Sequence, residues 1–172
     1  MQMINCVLDS AYLETQSTLR SGKMSKLKNP NRKPRKRQTV SSLMEKAAVD
    51  LQKLVRLKGS NSGGFSRCVT CKKWVHYKNC DAGHYLSRRH LRLKLYEGNI
   101  AIQCKGCNMR MGCPTVHDEY RTYMYDMYGV RRVKAMKRLT RWSKPKFTME
   151  QLKQFRKDVR AEIKIQLKRL GE

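Results

Sequence analysis

What this chain has least of is negative charge. Its 172 residues hold 13 Asp and Glu against 39 Lys and Arg, a formal net charge of +26. Such an imbalance attracts polyanions, of which nucleic acid is the usual one and a membrane surface the competitor. Long apolar runs are missing too. None approaches the roughly 18–20 residues that a membrane span needs. The opening MQMINCVLDSAYLETQ lacks the charged start and apolar core of a secretory signal. These absences predict a soluble cytoplasmic protein without a membrane partner. No internal repeat, no helix-turn-helix pattern and no βαβ pattern is visible. The length suits one ordinary domain with extensions, or two small ones.

Cysteine is present in an odd number, seven, which argues against a closed disulfide framework. Four of the seven form two C-x-x-C pairs, CVTC at 68–71 and CKGC at 104–107. In a reducing compartment that spacing points to metal. A thioredoxin-like role needs the βαβ setting that is absent. Cys6, Cys80 and Cys113 remain as small, semi-buried thiols.

The chain divides by composition into an arm (1–38), a helix and linker (39–64), a cysteine-clasped core (65–128), and a basic segment with a last helix (129–172). Residues 20–38, RSGKMSKLKNPNRKPRKRQ, carry no acid and two prolines. Such a segment buries no core and reads as a phosphate-binding arm or a solubilising tail. Met24 opens the basic run, so the first 23 residues read either as a separate arm or as an upstream extension. A helix is expected from Ser42, with Glu45 completing a capping box. Met44, Ala47, Ala48, Leu51, Leu54 and Val55 follow at helical spacing, and GSNSGG at 59–64 ends it. TVHDEYRTYMYDMYG reads as a short helix stopped by Gly129. After the basic stretch RRVKAMKRLTRWSKPK, the last helix is expected to follow Thr148, with Gln151 in the capping-box position. Leu152, Phe155, Val159, Ile163, Leu167 and Leu170 form its apolar stripe, a core or dimer face.

Two C-x-x-C knuckles complete a tetrahedral four-cysteine zinc site through Cys68, Cys71, Cys104 and Cys107, closed to solvent and therefore structural. Between and just after them stand Asp81, His84, Asn99 and Asn108. Singly each is weak evidence: a lone His is usually a bystander and a lone Asn a turn or cap residue. As a set on a clasped loop they fit phosphodiester hydrolysis. That reaction needs a base for water, and a neutral imidazole near pH 7 suits it. It also needs positive charge on the phosphate, which Mg²⁺ or Mn²⁺ held by a carboxylate and an amide oxygen supplies. In this reading His84 is the base, Asp81 and Asn108 hold the catalytic metal, and Asn99 braces the loop that orients His84. Arg35, Lys36, Arg37, Arg88, Arg89, Arg92, Arg131, Arg132, Lys134, Lys137 and Arg138 are the candidate phosphate contacts.

The order His, Asn, Asn framed by two C-x-x-C pairs resembles the HNH, or ββα-metal, nucleases, and within them the phage endonuclease VII branch. It is more similar still to the lambdoid phage NinG or Rap recombination endonucleases. The similar blocks are CVTC, WVHYKNCDAGHY, LRLKLYEGNIAIQCKGCN and the stretch around RWSKPKFTMEQLKQF, across roughly residues 40–168. The resemblance implies an α+β fold, a small zinc-clasped ββα-metal core with flanking helices and basic extensions. It further implies an endonuclease that cuts branched DNA, including Holliday junctions and displaced-strand intermediates, in the cytoplasm of a bacterial host. A homodimer suits a near-two-fold junction, and host or phage recombination proteins are further candidate partners.

Two departures stand out. Only Cys6 stands where family members often carry a further cysteine segment, so no accessory metal site is expected. Many HNH nucleases place Asp or His just before the base, where this chain has Gly83. The first metal ligand is then Asp81, with His90 or His84 itself as alternatives. The competing functional readings are a non-catalytic zinc-clasp nucleic-acid-binding protein, regulatory or architectural, and a homing nuclease. The latter usually carries a sequence-reading domain, and none is visible here. Phosphate contacts position a protein without specifying sequence, which suits structure-directed binding.

Overall fold

Two side chains compete to cap the first helix. The computed structural model of the chain, which describes residues 38–142 and 145–172, gives the position to Thr39. Helix α1 (Val40–Lys58) thus starts two residues before the expected Ser42. Thr39 Oγ1 accepts from the Ser42 N–H at 3.1 Å, and Ser42 Oγ accepts from the Thr39 N–H at 3.0 Å. Ser42 is the reciprocal partner of the box, and Glu45 is released to pair with Lys94. Leu43 joins the expected Met44 on the buried face. The last helix, α5 (Met149–Arg169), has the expected box of Thr148 and Gln151.

α1 and α5 turn their apolar stripes toward each other. Leu54 and Leu57 meet Val159 and Ile163, and Leu43 and Met44 meet Leu152. Asp50 fixes the pair by accepting from Arg156 at 2.8 Å and Arg160 at 3.0 Å. The stripes are therefore core within one chain. Each buried leucine contributes about 1.5–3 kcal/mol. The other edge of α1, through Leu51 and Val55, covers Ala82 and Ile100 of the central hairpin.

The sheets are small. Strand β1 (Phe65–Arg67) pairs antiparallel with β2 (Trp74–His76), and β3 (Cys80–His84) with β4 (Ile100–Cys104). The second register runs from Cys80 opposite Cys104 to His84 opposite Ile100. A short helix, α2 (Leu91–Lys94), and a 3₁₀ turn, Glu97–Asn99, lie between β3 and β4. Helix α3 (Lys105–Met109) leaves β4 directly. The fold is α+β, with two two-stranded sheets among the described residues.

Helix α4 (Pro114–Leu139) is two helical stretches joined at Gly129, whose φ of 75° and ψ of 151° are not helical. Gly129 thus breaks the helix where expected, but the basic stretch beyond it is helical as well. Val133 and Met136 from that second stretch join Tyr120 and Met124 from the first in one cluster with Tyr85 and Ala101. The arm expected at 20–38, with Arg35, Lys36 and Arg37, and Cys6 fall outside the described residues, save Gln38. No described helix is long and apolar enough to cross a membrane.

The bend gives a direct test. Nothing lies within 4 Å of a Cβ built on Gly129, so a side chain there meets no obstacle but the backbone angle. Gly129→Ala is expected to cost about 1–3 kcal/mol through strain in a region that L-residues avoid. Urea denaturation reads this as a lowered midpoint with an unchanged slope. An unchanged midpoint would show that the bend is dispensable.

Candidate metal centre and adjoining cleft

Cys68 and Cys71 sit on the turn between β1 and β2, while Cys104 ends β4 and Cys107 lies within α3. The first turn is closed by Cys68 N–H donating to the Lys73 carbonyl at 2.9 Å. In the second, Cys104 Sγ accepts from the Cys107 N–H at 3.4 Å. The two are joined by Val69 N–H donating to the Ile102 carbonyl at 2.9 Å. All four sulfurs lie within 4.8 Å of one another. Thiolates about 2.3 Å from a tetrahedral zinc stand about 3.8 Å apart, and Cys71 Sγ and Cys104 Sγ are 3.8 Å apart. The expected closure to solvent holds on one side: Cys68 and Cys107 are buried, while Cys71 is exposed at the tip of its turn. Of the thiols outside the cluster, Cys80 is buried on β3 and Cys113 is exposed ahead of α4, so neither is semi-buried as expected.

Charge explains why such a cluster suits a cation. Burial raises the Cys68 thiol, but hydrogen bonds from the backbone at Cys104, Cys71 and Thr70 outweigh it and bring the group down to about 7. Burial and the neighbouring sulfurs push Cys107 up to about 12. One thiolate forms readily and then opposes the next, so a divalent ion is what holds all four deprotonated. The four cysteines fit a structural metal such as zinc.

Beside this centre a cleft of about 490 Å³ is lined by His84, Asn108, Gly83, Arg88 and His117, among others. His84 is the last residue of β3 and half-buried. Its Nε2 is 3.2 Å from the Lys94 carbonyl. A carbonyl only accepts, so Nε2 carries the proton and Nδ1 keeps the lone pair. Burial lowers the His84 pKa below the ordinary 6.5; the Lys94 carbonyl opposes this, and the charges of Arg88 and Lys94 add to it. The ring is therefore neutral at neutral pH. Lys94 itself is buried, its ammonium paired with Glu45 of α1.

Asn99 is fully buried and staples the loop that follows His84. Its Oδ1 accepts from the Leu86 N–H at 2.8 Å, and its Nδ2 donates to the carbonyls of Leu86 at 2.9 Å and Leu93 at 3.2 Å. The backbone carbonyl of Asn99 accepts from the Tyr85 N–H at 2.9 Å.

Asp81, on β3, and Asn108, on α3, meet across 27 positions of sequence. Asn108 Nδ2 donates to Asp81 Oδ2 at 2.9 Å. Asn108 lines the cleft directly, whereas Asp81 reaches it through Asn108. Gly83 leaves the space these groups need: a Cβ there would lie 2.0 Å from Gln103 Oε1 and 2.9 Å from Asn108 Oδ1. His90 is elsewhere, at the N-terminus of α2 in a separate depression with Arg89, Arg92 and Trp142. Arg131, Arg132, Lys134 and Arg138 are exposed on the second stretch of α4. Lys137 is half-buried, its ammonium 5.8 Å from the centre of the Tyr85 ring.

Sequence reasoning missed Gln103 and His117. Gln103 is fully buried on β4; its Nε2 donates to Thr70 Oγ1 at 2.8 Å, tying the first knuckle to the strand beside Gly83. A glutamine amid the buried run Ile100–Ala101–Ile102 was the available signal, because such a side chain needs a polar partner. His117 lines the cleft from α4 and stacks on Tyr85 at 5.2 Å. Nothing local in TVHDEY marks it.

The centre predicts about one zinc per chain by metal analysis. Cys71→Ser or Cys107→Ser should lose the ion and several kcal/mol of folding stability, the order expected when binding free energy is folding free energy. A well-folded, metal-free double variant would refute a structural role.

With this geometry in hand, the likeness to known proteins is specific in one respect. The family described as Bacteriophage Lambda NinG protein matches residues 7–170. No match is found among the curated proteins or among the solved structures. A match over nearly the whole length, covering both cysteine pairs and every residue of the cleft, places the chain in the bacteriophage lambda NinG family.

Proposed function

We propose that this protein is a DNA endonuclease of the HNH type that cuts branched recombination intermediates, directed by DNA structure more than by sequence. The observation that carries the reading is the convergence of a neutral, backbone-anchored His84 with Asn108 and Arg88 in one cleft. A protein that only binds nucleic acid has no need of a neutral imidazole there. The family supports a phage origin, and the net charge of +26 supports a polyanionic substrate.

In the mechanism, His84 takes a proton from the attacking water at Nδ1, while the Lys94 carbonyl holds the opposite nitrogen. The oxygen of that water bonds to phosphorus and the bond from phosphorus to the 3′ oxygen breaks. Arg88 neutralises phosphate charge at the cleft wall. Asp81 and Asn108 would offer one carboxylate and one amide oxygen, the hard donors that Mg²⁺ or Mn²⁺ accepts, and the Asn108 Nδ2 that donates to Asp81 keeps the two side chains adjacent. The metal would supply positive charge to the phosphate and the departing oxygen. Asn99 acts as a positioning residue through the loop it staples. The four-cysteine centre holds the hairpin and does not touch the substrate. Two cuts in a near-two-fold junction call for two copies. The stripes of α1 and α5 are consumed within the chain, so the pairing surface lies elsewhere.

His84→Ala is expected to lose cleavage of flap, three-way and four-way DNA by roughly 10²–10⁴-fold, the usual worth of a general base. Binding to the same DNA should remain. Near-wild-type cleavage by the pure variant would remove His84 from the mechanism. Binding without cleavage by the unaltered protein on every substrate, with Mg²⁺ and with Mn²⁺, would favour the non-catalytic binder.

The metal assignment has its own measurement, a Mg²⁺ titration of the cleavage rate. Asp81→Ala should need far more metal for the same rate, and Asp81→Asn should be partly rescued by Mn²⁺, which as a rule binds a given site more tightly. His90→Ala should titrate like the unaltered protein, since His90 faces a different depression. The reverse pattern would overturn the assignment of Asp81 while leaving the nuclease reading in place.

A further inference from the structure

The chain has two tryptophans, and both are exposed: Trp74 at 59% and Trp142 at 65%. Tryptophan is highly buried on average, so an exposed ring on a basic surface calls for an account. Trp74 has one nearby, since it lies directly across the β1–β2 ribbon from Arg67, whose guanidinium is 5.1 Å from the ring centre.

Trp142 is placed differently. It follows the second stretch of α4 and lines a depression of about 120 Å³ with Arg89, His90, Arg92, Leu139 and Pro145. The Arg92 guanidinium is 6.0 Å from the ring centre. No acidic side chain lines this depression among the described residues. Its position relative to the cleft is set by one short loop. Ser87 and Arg88 line the cleft that holds His84, and the next two residues, Arg89 and His90, line the depression of Trp142. Residues 87–90 thus join the wall of the His84 cleft to the depression of this exposed indole.

We infer that Trp142 is a stacking platform for an unpaired base of branched DNA, with Arg89 engaging an adjoining phosphate. The inference rests on the nuclease reading for the choice of DNA. The physical case is the chemistry of the patch. An aromatic face accepts any base by stacking, and guanidinium groups beside it accept backbone charge, the combination found where single strands are held. Paired bases keep their faces inside the duplex and cannot use the ring. The platform therefore favours DNA that opens near the cut, as at a flap or junction, without reading sequence.

The test uses the full chain carrying Trp74→Phe, so that tryptophan emission reports on Trp142 alone, with divalent metal withheld so that no cutting occurs. Flap DNA with an unpaired arm, and a thymidine oligonucleotide, should quench the emission; blunt duplex should not. In the unaltered background Trp142→Ala should weaken flap binding on the order of tenfold, within the range known for one base stacked on an aromatic ring. Trp142→Phe should keep most of the affinity, and duplex binding should be unchanged in both. Equal quenching by duplex and flap, or flap binding unmoved by Trp142→Ala, would overturn the platform. These readouts are separate from cleavage. A chain that binds flap DNA through Trp142 yet never cuts would sink the nuclease reading alone. A cutting enzyme indifferent to Trp142→Ala would sink the platform alone.

Discussion

Everything near the cleft depends on holding together one hairpin of two five-residue strands. A two-stranded antiparallel ribbon is marginal in water by itself, and β3–β4 is only that. Its open end is Cys80 opposite Cys104, and Cys104 belongs to the cluster whose four sulfurs lie within 4.8 Å. The cluster ties that end of β4 to the turn between β1 and β2, and the ladder with β4 holds β3 in register. A slip by one residue would send Asp81 and Gly83 to the face now occupied by Ala82 and His84. The register thus places Ala82 against α1 and Asp81 against Asn108.

From the clasp, rigidity passes along polar groups more than along a large core. Gln103 connects the Thr70 hydroxyl to the strand opposite Asp81. Tyr120 donates to the Gly83 carbonyl at 2.8 Å from the far side. Asn99 ties down the loop beyond His84 with three side-chain bonds. Glu45 and Lys94 bring α1 to the carbonyl that orients the imidazole. A net hydrogen bond is worth only about 1 kcal/mol, but leaving its buried partner unmade costs about 1–3 kcal/mol. A network of this kind therefore specifies one arrangement more than it adds stability.

The scarcity of acids has a structural side. Several that lie among the described residues are engaged in holding elements together: Glu45 with Lys94, Asp50 with Arg156 and Arg160, Glu97 with Lys58, and Glu172 with Lys78. The surplus cations are left to the surface, and the bend at Gly129 displays Arg131, Arg132, Lys134 and Arg138 outward while Val133 and Met136 face in.

Much of this was legible in the residues themselves. The spacing of the cysteine pairs, the box of Thr148 and Gln151, the break at Gly129 and the stripes of α1 and α5 are nearest-neighbour signals. Each depends on residues a few positions apart, so composition and period carry them. The cap of the first helix is local too: Thr39 and Ser42 both carry a hydroxyl, and in the fold they bond each other's backbone with Thr39 at the cap. The stripes read equally as core or dimer face until α1 met α5. Three facts about the cleft needed tertiary contact: that Asp81 reaches Asn108, that Gly83 is glycine because two amides fill its side-chain space, and that His117 faces the same cleft as His84. They join residues about 20 to 30 positions apart or more, and one sequence holds no term that couples side chains at that distance. Only the folded chain brings them together.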